Sequence, residues 1–440
     1  MSMVVKNNIE ALRVLNLLDK NNNALQGDLT KVSSGMKINS AKDDPAPYSI
    51  SERMRVRIRA LEQDNQNVQT DSALMKTAES AVSNTIEILK TLKERAINSA
   101  NDSNTDEDRA TIQKEVDQFI DQIDDNALIQ FNGKYLVDGS KNHVVSASKT
   151  ILLNQSLSTL SSSASALTEL ANRAGDMLEI QSTDKYQVSW VINGVTTTSS
   201  GTVGTFALSD ILTLPNQGED TPITTITEQT GSAPTTIGTN KFNVAIYTPE
   251  RTAAIALLSN TAGVTSQISG FTISIMDTDG NIKKAANAAL DQFKQYQRAE
   301  NQSGDKSLTF HVGPDANFAI KVGITDMRAE ALGLKGTDNS KLSVRTKEHA
   351  NAAINVIENS LKKALDEQIN IGSILSRLEY TGINILTARD NDQESESVIR
   401  DADMAKEITN YTKSSVLTQT AQAMLAQANQ NSSAILGLLE

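Results

Sequence analysis

Between Tyr48 and Asn132 the chain runs for 85 residues without a glycine or a proline, the two residues that cost most inside a helix. Through that stretch Leu61, Val68, Met75, Val82, Leu89 and Ala96 return at intervals of seven, with Ala78 and Leu92 at the intermediate position. An apolar residue at every seventh position keeps one seam of a long helix against one partner, as in a coiled coil. Globular helices average roughly 11–12 residues, so a helix several times that length is built to span distance. Arg53, Arg55, Arg57 and Arg59 alternate near its start. At about 100° per residue they split between two nearly opposite sides, which reads as solvated or salt-bridged flanks rather than as an anion site.

Composition fits helices that meet along narrow aliphatic seams, since only 4% of residues are aromatic against 38% hydrophobic. A net charge of −12 argues against nucleic acid as a partner, which would need a basic face. Cysteine is absent, so no disulfide or thiolate metal site is available. Neither an N-terminal apolar signal region nor a run of 18 apolar residues occurs, so neither a cleaved signal peptide nor membrane insertion is expected. A chain exported by another route would look the same.

The chemistry-bearing patterns are also missing. His143, His311 and His349 are far apart, with no H-E-x-x-H. There is no Walker loop, no glycine-rich dinucleotide turn and no G-x-S-x-G. Asp277-Thr278-Asp279-Gly280 reads as a hairpin turn rather than a cation loop, because the later ligands of an EF-hand do not follow. The expectation is a protein without catalytic, cofactor-binding or metal residues, and not an enzyme.

From the start of the chain, Val5 to Met36 predicts an amphipathic helix with a polar break at Asn21, Asn22 and Asn23. Such a helix is marginal alone and needs a partner. After the long helix, Asn101 to Asn104 break the period and Thr105 with Asp108 forms an N-cap pattern. Ile112, Val116, Phe119 and Ile123 then make an antiparallel hairpin that ends in a turn at Phe131-Asn132-Gly133. Leu153, Leu157, Leu160, Ala164, Leu167, Ala171, Ala174 and Leu178 predict a third helical segment. From 185 to 280 the character changes, with four of the seven prolines (215, 222, 234, 249) and dense Thr, Ser and Gly. There Tyr186 to Ile192, Phe242 to Ile246 and Phe271 to Ile275 alternate as strands. Ile282 to Ala299 returns to helix, and Leu308 to Val312 with Phe318 to Val322 predicts a hairpin around Gly313-Pro314. Ile354 to Leu378 carries a long seam. A polar patch at Asp390 to Glu396 precedes Met404, Ile408, Tyr411, Leu417, Ala421, Met424 and Ala428.

The expected fold class is mainly α, a long antiparallel coiled-coil rod made by the two terminal regions, with an inserted β-rich variable domain. The divisions are 1–43 (inner terminal helix), 44–184 (N-terminal rod segment), 185–280 (β-rich outer domain), 281–393 (hairpin and C-terminal rod segment) and 394–440 (C-terminal inner helix). Leu61, Val68, Met75, Val82 and Leu89 form the rod seam. Leu18, Leu25, Leu29, Val32, Ile408, Leu417, Met424 and Leu425 form the seam of the terminal helices, whose apolar faces are only partly satisfied and so favour assembly.

Several blocks carry a family resemblance. Ser33-Ser34-Gly35-Met36-Lys37-Ile38-Asn39-Ser40-Ala41-Lys42-Asp43-Asp44, Arg95-Ala96-Ile97-Asn98-Ser99-Ala100-Asn101 and Phe131-Asn132-Gly133-Lys134 resemble bacterial flagellins at the N-terminal end. Ile399-Arg400-Asp401-Ala402-Asp403-Met404-Ala405-Lys406-Glu407 and Met424-Leu425-Ala426-Gln427-Ala428-Asn429-Gln430 resemble them at the C-terminal end. The likeness covers roughly 1–140 and 306–440 in the right order.

That resemblance implies a subunit that polymerises into the flagellar filament for motility. It also implies terminal helices that fold as coiled helices on assembly and a variable domain that projects outward, its Ser and Thr open to O-glycosylation. Because its strands are bracketed by the helical elements of the rod, that domain is expected to be dispensable for assembly. Its partners would be copies of itself, hook-associated junction and cap proteins, a flagellin-specific export chaperone and the type III flagellar export apparatus. The location would be extracellular, reached without a cleaved signal. A hook–filament junction protein starts similarly but lacks the C-terminal signature, and a coiled-coil scaffold explains the heptads alone. Many flagellins engage an animal innate immune receptor through Leu-Gln-Arg-Val-Arg-Glu-Leu-Ala-Val-Gln on the long helix. Here the aligned stretch runs from Leu89 to Asn98, with Glu94 kept and Lys93 keeping a charge. Thr91 stands for the central arginine, Arg95 for a leucine and Asn98 for a glutamine, which predicts weak or absent receptor activation.

Overall fold

A computed structural model describes residues 8–162, 164–216, 227–228, 236–247, 254–259 and 261–437. Val5, Ser163 and the prolines at 222, 234 and 249 lie outside these residues. Helix α1 spans Ile9–Ser34; the Asn8 side chain accepts from the Ala11 N–H, and Gly35, at φ 72°, closes the last turn by donating to the Lys31 carbonyl. The expected break at Asn21 to Asn23 does not occur, and the helix is continuous. Asparagine costs only up to about 0.7 kcal/mol against alanine in a helix, and Asn21 gains a bond to the Leu417 carbonyl.

Helix α2 covers Pro45–Ser99, starting on the proline because the first turn has no use for that N–H. Helix α3, Asp106–Ala127, opens with a reciprocal cap between Thr105 and Asp108. At the other end α7, Lys347–Arg400, and α8, Met404–Gly437, are separated by three residues. Strands β12, Leu308–His311, and β13, Ala319–Val322, pair as the predicted hairpin.

The chain divides into two compact units. One comprises Met1–Val68, His311–Phe318 and Tyr380–Glu440. Within it α1 runs antiparallel to α8: Asn8 bonds the Ala428 carbonyl, Asn21 that of Leu417, and Ser414 donates to Asp28 at 2.7 Å. The N-terminal part of α2 lies antiparallel to the C-terminal part of α7, with Ser51 on Glu396 at 3.0 Å and Arg57 on Asp392 at 3.0 Å. The α7–α8 junction is tied to the α1–α2 loop by backbone bonds from Lys37 to Arg400 and from Ala402 to Gly35. Arg400 is buried there, 2.6 Å from Glu52 and over the Tyr48 ring. Its guanidinium is the main reason the Glu52 carboxyl lies below its ordinary value.

The other unit comprises Gln69–Phe310 and Ala319–Glu379. Here α3 buries Val116, Ile120, Ile123 and Ala127. The buried amide of Gln113 donates to the Leu342 carbonyl at 3.0 Å and accepts from the Val344 N–H at 2.6 Å. Two short strands, β1 Gln130–Phe131 and β2 Lys134–Tyr135, flank the expected turn. Asn132 and Gly133 both take positive φ, the two-residue geometry that suits a right-twisted hairpin.

The predicted third helix at 153–178 does not form. Its place is taken by strand β3, Ile151–Asn154, turns and a 3₁₀ turn at Leu167–Glu169. Serine and asparagine side chains satisfy the local backbone instead: Asn154 accepts from the Ser156 N–H, Ser158 from Leu160 and Ser165 from Ser162. Such bonds compete directly with a helix. Leu160, 90% exposed, is not part of any seam.

Strands β4, Lys185–Ile192, β5, Val195–Thr202, and β10, Ile268–Met276, form a sheet ordered β10-β4-β5. A second sheet has the order β11-β3-β9-β6, with β6 Thr227–Glu228, β9 Ile255–Leu258 and β11 Lys294–Gln297. The sheets thus draw on residues outside 185–280. Helix was expected over Ile282–Ala299, but α5 occupies only Lys284–Leu290 (the five-residue α4 is Leu208–Leu212). The rest becomes β11, because pairing with β3 satisfies its backbone in extended form. Strand β8 is confined to Ala245–Tyr247, paired with β7, Thr236–Thr239. Phe242 and Val244 are exposed outside it, since Asn240 caps that turn by accepting from both their N–H groups. Asp277 holds the expected turn by accepting from the Asp279 and Asn281 N–H groups.

Trp190, Phe271, Ile273 and Leu290 pack in one core with Phe293 edge-on to Phe271 at 5.2 Å. Strand β10 then meets α7 closely. A Cβ on Gly270 would stand 2.8 Å from the Ala352 carbonyl, while Asn355 and Asn359 bond the carbonyls of Phe271 and Ser269. Short α6, Ala329–Leu332, completes this unit. Trp190 is the chain's one tryptophan, so its fluorescence reports on this core alone. Phe271→Ala is expected to lower the stability of the Trp190 transition in urea by about 3–5 kcal/mol; an unchanged midpoint would show that the ring is not a core member.

Candidate assembly surface

The contact between α1 and α8 follows a strict alternation of threes and fours. On α1 the half-buried positions include Ala11, Val14, Leu18, Asn21, Leu25, Asp28 and Val32, with Asn22 and Lys31 beside them; on α8 the inward positions include Glu407, Tyr411, Ser414, Thr418, Ala421, Leu425 and Ala428, with Asn410 and Ser415 beside them. This is the seam of a two-helix coil, with small or polar residues at many of its positions. Three of the seam groups hydrogen-bond across it: Asn21, Asp28 and Ser414.

The assembly residues read from the sequence therefore divide. Leu18, Leu25, Val32 and Leu425 face the intramolecular seam. Leu29, Ile408, Leu417 and Met424 do not; Leu29 is 50% exposed and Met424 52%. They are joined on the outside by Ile9, Leu12, Leu15, Leu17, Met404 and Val416, all exposed. Leu12, Leu15 and Leu29 fall to one side of the α1 seam when wound at about 100° per residue. On α8, Leu417 and Met424 flank one side and Met404 and Ile408 the other. The inward polar residues escape a search for apolar periodicity, although their spacing continues the leucine and valine register without a slip.

On α2 the positions Leu61, Val68, Met75, Val82 and Leu89 are all buried. Of the segment aligned with the receptor-recognition stretch, Leu89 is buried and Glu94 and Asn98 are exposed. Thr91 folds back onto the Glu87 carbonyl. Lys93 pairs with Glu358 at 3.1 Å and Arg95 with Glu115 of α3 at 2.9 Å, so both cations are already engaged within the chain.

Among the described residues no three His, Asp or Glu side chains are grouped to hold a metal, and no helix is long and apolar enough to cross a membrane. His143 stacks on Phe242, while His349 lies 3.0 Å from the Ser343 hydroxyl. Burial lowers the basicity of both rings.

Residues 5–142 match the family model of the bacterial flagellin N-terminal helical region, and 354–439 that of the C-terminal helical region. A flagellin of Clostridium tyrobutyricum is 31% identical over 97% of this chain and 99% of its own length. The flagellin of Bacillus subtilis is 26% identical over 99% and 100%. A flagellar filament core protein of Treponema maltophilum is 25% identical over the same shares. The chain belongs to the bacterial flagellins, a family of structural filament subunits and not of enzymes.

Proposed function

We propose that this chain polymerises through the outward apolar residues of α1 and α8. One observation carries the reading: polar side chains occupy much of the intramolecular seam while Leu12, Leu15, Leu29, Ile408, Leu417 and Met424 remain on the surface. Within one chain those residues are only about half covered; completing their burial against neighbouring copies contributes up to about 1 kcal/mol for each leucine-sized side chain. A pair held by so little apolar area is marginal alone and folds fully only on assembly. The helices at 1–43 and 394–440 then form the inner layer, the segments 44–184 and 281–393 the next, and 185–280 the outer domain. Such a subunit leaves the cell unfolded through the type III flagellar export apparatus, with a dedicated chaperone covering its terminal helices. It joins the filament outside the cell, between hook-associated junction proteins and the cap.

Two substitutions one position class apart test the interface. Leu29→Glu is expected to leave a soluble chain of unchanged helix content that forms no filaments under electron microscopy after seeding. Leu25→Glu breaks the α1–α8 seam itself and lowers helix content by circular dichroism. Long filaments from the Leu29→Glu chain would remove the outward face from the interface. Short caps of a few copies from the parent chain would favour a junction role instead.

The outer domain, whose Ser and Thr are open to O-glycosylation, contributes none of those residues. Because β3 and β11 share a sheet with β9, a clean excision removes 151–297 rather than 185–280. The shortened chain, closed by a Gly/Ser linker, is expected to polymerise; loss of filaments with the helices still folded would assign the domain a lateral contact.

At the receptor-recognition stretch, Thr91 lacks a planar guanidinium, and Lys93 and Arg95 would each give up an intramolecular carboxylate to bind a partner. Weak activation of the innate receptor follows. In a reporter-cell titration the Thr91→Arg, Arg95→Leu double variant is expected to gain at least about thirtyfold, the worth of a hot spot of about 2 kcal/mol. Equal and strong responses from parent and variant would contradict this.

A further inference from the structure

In the sheet-bearing unit, a cavity of about 480 Å³ opens between β11 with its following loop and the face of α7 from Asn359 to Asn370. Four polar atoms of its wall are buried without a hydrogen-bond partner among the described residues: Arg298 Nη1, Gln295 Nε2, His143 Nε2 and Glu367 Oε1. Their neighbours fix them in place. Arg298 Nη2 donates to the Asn359 carbonyl at 2.7 Å and to Gln295 Oε1 at 3.3 Å, which leaves the Gln295 NH₂ unpaired. Glu367 is only 4% exposed; its Oε2 accepts from Thr325 at 2.7 Å, and its Oε1 is empty-handed. A buried group left unsatisfied is costly, the more so when it is charged. A wall that gathers several such groups presents donors and an acceptor that a polar ligand could engage together.

Charge decides the class of ligand. Lys241, Arg298, Lys362 and Lys363 line the cavity against Glu300, Asp366 and Glu367, so the lining is close to neutral and gives no net attraction to a polyanion or a dication. Burial already strains the charges, lowering Arg298 to about 10 and Lys363 to about 8 and raising Glu367. A molecule carrying both signs relieves both. Phe242 and Tyr296, each partly exposed, supply ring surface at the rim. We propose that this cavity binds a small zwitterion of the α-amino-acid class. Its carboxylate accepts from Arg298 Nη1 and Gln295 Nε2, its ammonium donates to Glu367 Oε1, and its side chain lies toward Phe242 and Tyr296.

The full-length monomer titrated calorimetrically with each of the twenty standard L-amino acids, and with acetate and methylammonium as half-ligands, tests this. At least one amino acid is expected to bind saturably, with both half-ligands at least about tenfold weaker. Glu367→Gln is expected to weaken that amino acid about tenfold while the Trp190 unfolding transition stays in place. If Glu367→Gln does not fold, Gln295→Ala, at a partly exposed position of β11, carries the same expectation. Three results overturn the proposal: no amino acid saturating below about 10 mM, acetate binding as tightly as the best amino acid, or the folded variant binding like the parent.

Discussion

Two helices that meet along a single seam can each bury only one stripe of their surface, and in α1 and α8 that stripe mixes small and polar residues with a few leucines and valines. The bonds from Asn21, Asp28 and Ser414 fix the stagger of the pair without supplying much apolar burial. Polar seam positions specify register at a cost in stability. The arrangement separates two tasks that a leucine seam would merge, because the intramolecular contact sets alignment and the exposed leucines and methionines remain for association. A chain that polymerises gains from this division, since a monomer with its apolar residues already satisfied would have little reason to associate.

The α7–α8 junction gives the same unit a fixed corner. Arg400 meets Glu52, Ser51 and the Tyr48 ring, while its own carbonyl accepts from Lys37. One buried side chain therefore links the start of α2 to the end of α7. The pH dependence of the pair follows from Glu52. Its carboxyl is lowered in the folded chain, so the contribution is full above the unfolded carboxyl's value and is lost as pH falls through the lower, folded one.

What the sequence made legible follows the strength of its periodicity. From Tyr48 onward in α2 a seven-residue apolar repeat coincides with an absence of glycine and proline, so tertiary context and local preference agree. Between 153 and 178 the same spacing misleads. The leucines keep their interval, but the serines between them bond their own backbone, and Ile151 to Asn154 is a fully buried strand whose neighbours arrive from β9 and β11. Periodicity cannot see such distant pairing. The α1–α8 seam was half legible for a different reason: leucine and valine mark it, whereas Asn21, Asp28, Ser414 and Thr418 complete it in residues that normally signal exposure.

Gln113 behaves as a neighbouring strand compressed into one side chain. Its amide oxygen takes the N–H of Val344 and its amide nitrogen gives to the carbonyl of Leu342, the two groups that an extended segment turns to the same edge. The intervening residue turns its own pair the opposite way. The segment that leads into α7 therefore cannot creep past α3 by a single residue, because each intermediate register leaves the amide facing nothing. It can only jump by two, which breaks both bonds before the next pair can replace them. A slender amide thus gives the entry to a 54-residue helix a ratchet with one tooth.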